Sequence, residues 1–258
     1  MLDLSRIIVG PYATMVLSDF GAEVIKVEHP DGDETRKWGP PWKDGVSCYF
    51  MSINRNKKSI NLDLKKPEAR EVIYRLAANC QVVIENFVPG TTERLKVDFE
   101  SISKVNPTVV YCSISGYGDT GPKVHQPAFD QVVQGEAGFM HLTGGPQTDP
   151  YKMGFAIADV LTGLHSATAI LGALNYAKET KKPIHVKTSL IEASVASLIN
   201  QASNYLNGGS NPRRLGNNHP NIVPYGVFKC LDNYITVAGG TDKQYESLCK
   251  VLNINPPP

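Results

Sequence analysis

Short, almost unbroken apolar runs separated by helix-length stretches constrain this chain more than any other feature. Gln81-Val-Val-Ile-Glu-Asn-Phe87 and Thr108-Val-Val-Tyr-Cys-Ser-Ile-Ser115 are two of them, and Glu23-Val-Ile-Lys-Val-Glu28 and residues 184–188 supply two more. A strand that is apolar on both faces must be covered on both faces, which is the condition of a parallel sheet between two layers of helix. The stretches between supply the helices. Tyr12, Met15/Val16 and Asp19/Phe20 recur at helical spacing, and Gly21 stands where a helix C-terminal glycine belongs. Pro67 opens a second helix whose stripe is Glu68, Glu71, Val72, Leu76 and Ala77. A long helix over 159–177 carries Leu161, Leu164, Thr168, Leu171 and Leu174 on one face, and residues 190–206 read as another. The sequence therefore predicts an α/β fold, a doubly wound Rossmann-like parallel sheet over residues 1–206. The Gly/Asn/Pro-rich stretch 207–224 reads as a linker. Residues 225–258, with strands at 225–228 and 234–239 and a helix at 242–252, read as the start of a second, smaller domain.

Composition narrows the function classes. Lys+Arg number 26 and Asp+Glu 25, a net charge of +1, so no global field draws in nucleic acid. No run approaches eighteen apolar residues, so no membrane span is expected. The five Cys include no CxxC pair and the six His no HExxH or His-x-His, so neither a disulfide framework nor a metal site is expected. The N-terminal residues show neither the apolar core of a signal peptide nor the character of a transit peptide. There is no Gly-x-Ser-x-Gly elbow for a serine hydrolase. Cys112, inside a strand, reads as a small hydrophobe.

Three features carry chemistry. Gly116-Tyr-Gly118-Asp-Thr-Gly121 spells GxGxxG after a strand, but Pro122 and polar residues follow where a helix should begin, and a glycine turn at the sheet's C-terminal edge is the better reading. Arg55, Lys57, Lys58, Lys65 and Lys66 flank a strand candidate at 59–64 and form either a solvated rim or an anion site. Asp159 follows the apolar Gly154-Phe-Ala-Ile-Ala158 at the start of the long helix. It is either the N-cap, accepting from Leu161 or Thr162, or a carboxylate kept ionised by the helix terminus and available as a nucleophile.

Motifs in this order and spacing resemble the class III CoA-transferases, the group that includes formyl-CoA transferase, carnitine CoA-transferase and the α-methylacyl-CoA racemases. The matching segments are Leu2-Asp-Leu-Ser-Arg-Ile-Ile-Val-Gly-Pro-Tyr-Ala13, Gly21-Ala-Glu-Val-Ile-Lys-Val-Glu28, Gly32-Asp-Glu-Thr-Arg36, Asn54-Arg-Asn-Lys-Lys-Ser59, Val83-Ile-Glu-Asn-Phe-Val-Pro-Gly90, Cys112-Ser-Ile-Ser-Gly-Tyr-Gly118 and Ala158-Asp-Val-Leu-Thr-Gly163. The later Arg214-Leu-Gly-Asn-Asn-His-Pro-Asn-Ile-Val-Pro-Tyr225 is similar to the subgroup acting on short dicarboxylic acids, of the succinyl-CoA:glutarate type.

The resemblance implies an enzyme in which Asp159 is the nucleophile. Leu62, Asp63 and Lys65 frame the adenine and phosphates of CoA, Asn86 and Phe87 line its channel, and Arg94 contacts the nucleotide end. His29 stands where relatives often carry Arg. CoA and acyl-CoA are substrates, with a small carboxylic acid as co-substrate and no bound prosthetic group. Gly239 and Gly240 are the expected oxyanion loop. A racemase on the same fold needs a His just before the Asp of the segment Pro127-Ala128-Phe129-Asp130-Gln131, and this sequence has none there. The resemblance further implies an interlocked homodimer, a mitochondrial or cytoplasmic location and longer relatives, so a chain ending within the second domain is also read as a partial or inactive product.

Overall fold

The computed structural model describes residues 1–255, so the last three residues of the expected 225–258 domain lie outside the description. In chain order the elements begin with β1 (Leu2–Asp3), α1 (Val9–Asp19), β2 (Val24–Glu28), β3 (Trp42–Lys43), β4 (Val46–Ser47), α2 (Cys48–Asn54), β5 (Lys57–Asn61) and α3 (Pro67–Ala77). They continue with β6 (Val82–Glu85), α4 (Thr91–Leu95), α5 (Phe99–Val105), β7 (Val110–Ser115), α6 (Asp130–Glu136) and α7 (Phe139–Leu142). The last are α8 (Ile157–Thr180), β8 (Ile184–Ser189), α9 (Leu190–Ala196), α10 (Asn200–Leu206), β9 (Tyr225–Lys229), β10 (Tyr234–Ala238) and α11 (Asp242–Leu252). The chain forms two units, Met1–Ala137 with Gly154–Ile199, and Gly138–Met153 with the residues from Asn200 onward. This grouping differs from a boundary at 206, because α7 and α10 belong with the second unit.

The first unit is built on a six-stranded sheet in the order β5-β2-β1-β6-β7-β8, with every pair parallel. Alternation along the strands divides the core in two. Val82, Ile84, Val110, Cys112 and Ile114 pack with Val9, Ala13 and Leu17 of α1 and Ala167 and Ile170 of α8. Val83, Val109 and Tyr111 pack on the opposite face with Ile73 and Ala77 of α3 and Ile102 of α5. The chain winds outward from β1 through β2 to β5, then returns past β1 to β6 and winds outward the other way through β7 to β8. The direction of winding reverses between β1 and β6, and at such a reversal the loops at the C-terminal strand ends diverge and leave a crevice.

Several elements differ from expectation. The strand expected at 59–64 is β5, set two residues earlier by its register with β2, where Lys57 faces Val24 and Asn61 faces Glu28. Inside the long loop 29–48 the chain makes a short 3-10 turn at Glu34–Lys37, and α2 follows, capped by the Ser47 hydroxyl, which accepts from the Tyr49 and Phe50 N–H groups. The single helix expected over 190–206 is two, broken at Ile199, whose φ of 41° lies in the left-handed region.

The face of α8 that packs is not its leucine stripe. Of the leucine stripe Leu164 and Leu171 are exposed while Leu174 only borders the core, and the buried face is the small one: Ala158, Thr162, Gly163, Ser166, Ala167 and Ile170. Small residues win because α8 lies close against α1. A Cβ on Gly163 would sit 2.9 Å from Tyr12 Cδ1 and 3.0 Å from the Val9 carbonyl oxygen. By length and mean hydropathy α8 would also be apolar enough to cross a bilayer, although polar residues interrupt it and no run of eighteen apolar residues exists; in this unit its small face lies within the core.

In the second unit β9 and β10 form an antiparallel hairpin with Tyr225 opposite Ala238. α11 starts at Thr241, whose hydroxyl accepts from the Gln244 N–H.

Candidate active site

β1 and β6 end side by side, and the loops leaving them are tied together by one side chain. Asn86 accepts the Arg6 N–H through Oδ1 and donates from Nδ2 to the Arg6 carbonyl, both at 2.8 Å. The loop after β1 is further held from below. Buried Lys26 pairs with buried Asp33 at 3.0 Å and donates to the Ser5 carbonyl, and Asp33 accepts the Ile7 N–H. The long loop after β2 thus serves to fix the chain at Ser5–Ile7.

Above this junction lies a cavity of about 690 Å³. Its walls are apolar, from Leu4, Val27, Leu62, Phe87, Val88 and Leu95, and its cations are Arg6, Lys65 and Arg94. The Arg6 guanidinium sits 5.1 Å from the centre of the Phe87 ring. Of the nucleotide-binding residues carried by the resemblance, Leu62, Asp63, Lys65, Phe87 and Arg94 all line this one cavity, and Asn86 braces its floor. His29 lines it too, with Nδ1 3.2 Å from Asp31. Glu28 also faces it, but its carboxylate is occupied. Burial raises its pKa, and a two-pronged bond from Arg36 with another from Ser59 overrides that and brings it down to about 2.

The rest of the basic cluster is elsewhere. Lys57 is buried under β1, bonded to Asp3, the Pro11 carbonyl and Asn54, and burial pushes its pKa down to about 8. Arg55 pairs with Asp19 and Lys58 with Glu23. The cluster is therefore neither one rim nor one anion site. Of the cluster only Lys65 lines the cavity, because it follows the C-terminal end of β5 whereas Arg55, Lys57 and Lys58 lie at or before its start.

Asp159 is not the N-cap of α8. Ala156 occupies that place and Asp159 is the third helical residue. The capping is done from outside: Asp130, at the start of α6, accepts the Ala158 N–H at 2.8 Å and the Asp159 N–H at 3.4 Å through Oδ1. The Asp159 side chain is 8% exposed, and among the described residues no hydrogen bond or ion pair reaches its carboxyl. Burial first, and the charge of Asp130 second, push its pKa up to about 7. A carboxyl in this setting is half-ionised near neutrality, and once ionised such a poorly solvated oxygen is able to act as a nucleophile.

Asp159 does not line the large cavity, but the two are joined by the chain. Arg6 at the rim is three residues from Val9, whose carbonyl meets α8 at Gly163, one helical turn from Asp159. Extended chain, one van der Waals contact and one turn sum to at most on the order of 20 Å.

Gly239 and Gly240 lie in the second unit after β10, where Gly239 N–H donates to the Pro224 carbonyl and Gly240 N–H to Gln244 Oε1. Neither N–H is free here. The GxGxxG segment is a turn after β7, with Gly118 and Gly121 at positive φ and no helix following. The Cys112 thiol is buried and its pKa is raised by that burial, which leaves it unreactive. Among the described residues no group of three or more His, Cys, Asp or Glu is arranged to hold a metal.

Arg6 and Val88 line the cavity and Asp130 caps α8, and reading the sequence gave none of the three a place in the site. The signal for Arg6 is its place just past a strand beside the reversal of winding. Asp130 gives none, since its partner lies 28 residues on.

A family model described as CoA-transferase family III matches residues 1–256. The succinyl-CoA:glutarate CoA-transferase of Mus musculus is 44% identical over 255 residues, covering 98% of this chain and 58% of the relative. The succinate–glutarate CoA-transferase of Agrobacterium fabrum is 42% identical over 261 residues, covering 98% of this chain and 65% of the relative. The chain thus spans less than two thirds of the length of these curated relatives. A crystal structure of a CAIB/BAIF family protein from Brucella suis superimposes with a TM-score of 0.89 at 44% identity, covering 98% of this chain and 68% of that one.

Proposed function

Because this chain belongs to CoA-transferase family III, we propose that it moves CoA from an acyl-CoA, succinyl-CoA or a similar ester, to a dicarboxylic acid through a thioester on Asp159. The observation that carries the reading is the Asp159 carboxyl itself: buried, without a hydrogen-bond or ion-pair partner among the described residues, and held in the first turn of a helix that packs on α1. The cavity fits the rest of the ligand. Its apolar walls suit a purine, and Arg6, Lys65 and Arg94 supply charge-assisted bonds to phosphates. The pantetheine arm would run along residues 6–9 toward Asp159.

The ionised Asp159 oxygen attacks the thioester carbonyl. The tetrahedral intermediate collapses with loss of CoA thiolate, leaving a mixed anhydride between Asp159 and the donor acid. The thiolate attacks the aspartyl carbonyl of that anhydride, and the donor leaves as its carboxylate. Asp159 now carries CoA as a thioester. The acceptor carboxylate attacks that carbonyl and expels CoA thiolate, which takes the acceptor's acyl carbon and returns Asp159 as a carboxylate. No proton or electron is consumed, and each intermediate is an acyl derivative of comparable energy, which is why covalent catalysis suits the exchange.

CoA is a substrate in this scheme and no prosthetic group takes part. The homodimer and the mitochondrial or cytoplasmic location implied by the resemblance are part of the same proposal, checked by sedimentation and by cell fractionation. The test of the activity is a panel of acyl-CoA esters against carboxylic acids, read by mass spectrometry. Transfer from succinyl-CoA to a short dicarboxylate, lost in Asp159→Ala while CoA still binds, is the expected result. Transfer that survives in Asp159→Ala refutes the scheme, as does exchange of an α-proton without transfer.

A further inference from the structure

We infer that Asp130 is a positioning residue for Asp159, whose carboxylate caps the first turn of α8 from a different helix and sets the reactive carboxyl beside a second carboxyl. This deepens the transferase reading and rests on it for its catalytic meaning, but its physical content stands on geometry alone.

A helix leaves its first N–H groups without partners, and the usual remedy is the side chain of its own N-cap residue. Here the N-cap is Ala156, which has no such side chain. Asp130 supplies the acceptor instead, at 2.8 Å from Ala158 N and 3.4 Å from Asp159 N. Its other oxygen, Oδ2, accepts from Gln134 Nε2 at 2.6 Å, and Gln134 is fully buried. Both oxygens of Asp130 are therefore fixed, one on α8 and one on its own helix. The backbone of the nucleophile is held by the residue whose charge opposes the ionisation of that nucleophile.

Two consequences follow for the reaction. Rotation of the first turn of α8 would swing the Asp159 oxygen, so a cap tied to α6 aims it. A carboxylate with a raised pKa is also a stronger nucleophile than an ordinary one, which favours formation of the anhydride.

The titratable groups around Asp159 leave Asp130 as the one able to do this. Tyr49 of α2 faces both carboxyls, and its own hydroxyl pKa is raised by burial and by their charges. α1 contributes Tyr12 and Asp19, and Asp19 is paired with Arg55. Glu192 of α9 is bonded to Ser189, β8 carries His185 and Lys187, which bond to Ser113 and Asp119, and His165 of α8 is on its exposed face.

The test titrates the Asp159 carboxyl carbon by NMR in the 258-residue chain, assigned by its loss in Asp159→Asn, and follows exchange of the Ala158 and Asp159 amides. Asp130→Asn keeps an acceptor and removes the charge, so the Asp159 titration should move down by roughly one pH unit with the amides still protected. Asp130→Ala should move it likewise and unprotect both amides. An unmoved titration in Asp130→Asn overturns the inference even where Asp130→Ala fails to fold, and so do amides equally protected in the alanine variant. A CoA adduct measured on the wild-type chain is the separate readout: its absence counts against the transferase reading and leaves the titration result standing. Where the adduct forms, its pH midpoint should move with the carboxyl in Asp130→Asn and its maximal rate should fall.

Discussion

Asp159 is a site where the fold works against one ionisation state, and that has a sign. Its pKa is lifted by burial to about 7, so between the ordinary carboxylate range and 7 the folded chain holds a proton that the unfolded chain has released. That preference is fully present in acid and is lost as pH rises through 7, above which the buried carboxylate weighs on the fold. Glu85, raised to about 7 by burial at the end of β6, adds a second contribution of the same sign. Asp159→Asn is therefore expected to melt higher than the wild type at about pH 8, by on the order of 2 kcal/mol, and to match it near pH 4, as thermal denaturation across that range would show. Catalysis has the opposite slope: kcat/KM for acyl-CoA should climb through about pH 7 as the nucleophile ionises, and a flat profile there would separate Asp159 from the rate. At the cavity, Lys65→Ala and Arg94→Ala each remove one cation and should raise KM for acyl-CoA roughly tenfold, with kcat little changed, because a charge-assisted bond is worth about 1.5–3 kcal/mol in ground and transition state alike.

The pair of helices that delivers Asp159 is set by glycine at one position only. Gly163→Ala would push a methyl against Tyr12 and the Val9 carbonyl, so α1 and α8 must part, at a cost of about 1–3 kcal/mol. Gly172, on the exposed side of the same helix, meets nothing within 4 Å, and Gly172→Ala should raise stability by about 0.5–1 kcal/mol. Chemical denaturation of the two variants gives opposite signs if the small face of α8 is the packed one. That face also marks where the sequence was hard to read. The strands were legible because two-faced burial forces continuous apolar runs, and Val82–Glu85 and Val110–Ser115 lie inside the stretches predicted for them. The leucines of α8 pointed to the wrong face, since apolar spacing finds a stripe but cannot tell close packing by Ala, Ser and Gly from exposure. β1 has only two residues, too few for any periodicity. The site divided the same way. Leu62, Asp63, Lys65, Phe87 and Arg94 came through resemblance and share one cavity, whereas Asp130 is tied to Asp159 only by the fold.

Across the whole molecule, the reversal of winding between β1 and β6 is what makes one region of the surface concave and lets Arg6, from one half of the sheet, meet Phe87, from the other. Asn86 holds that seam through the backbone N–H and carbonyl of Arg6. The surface elsewhere is less finished: Leu231, Val223, Val251 and Leu206 are each more than three quarters exposed in the second unit. Apolar exposure on that scale predicts that the 258-residue chain self-associates, and sedimentation velocity over a range of concentrations should show mass rising with concentration; a strictly monomeric chain would contradict this. The most direct test of the central claim is to quench the chain during incubation with succinyl-CoA, digest it and find the CoA adduct by mass spectrometry. The expected product is a thioester on the peptide containing Asp159, removed by hydroxylamine and absent from Asp159→Ala. An adduct on another residue, or steady transfer with that peptide unmodified, would contradict it.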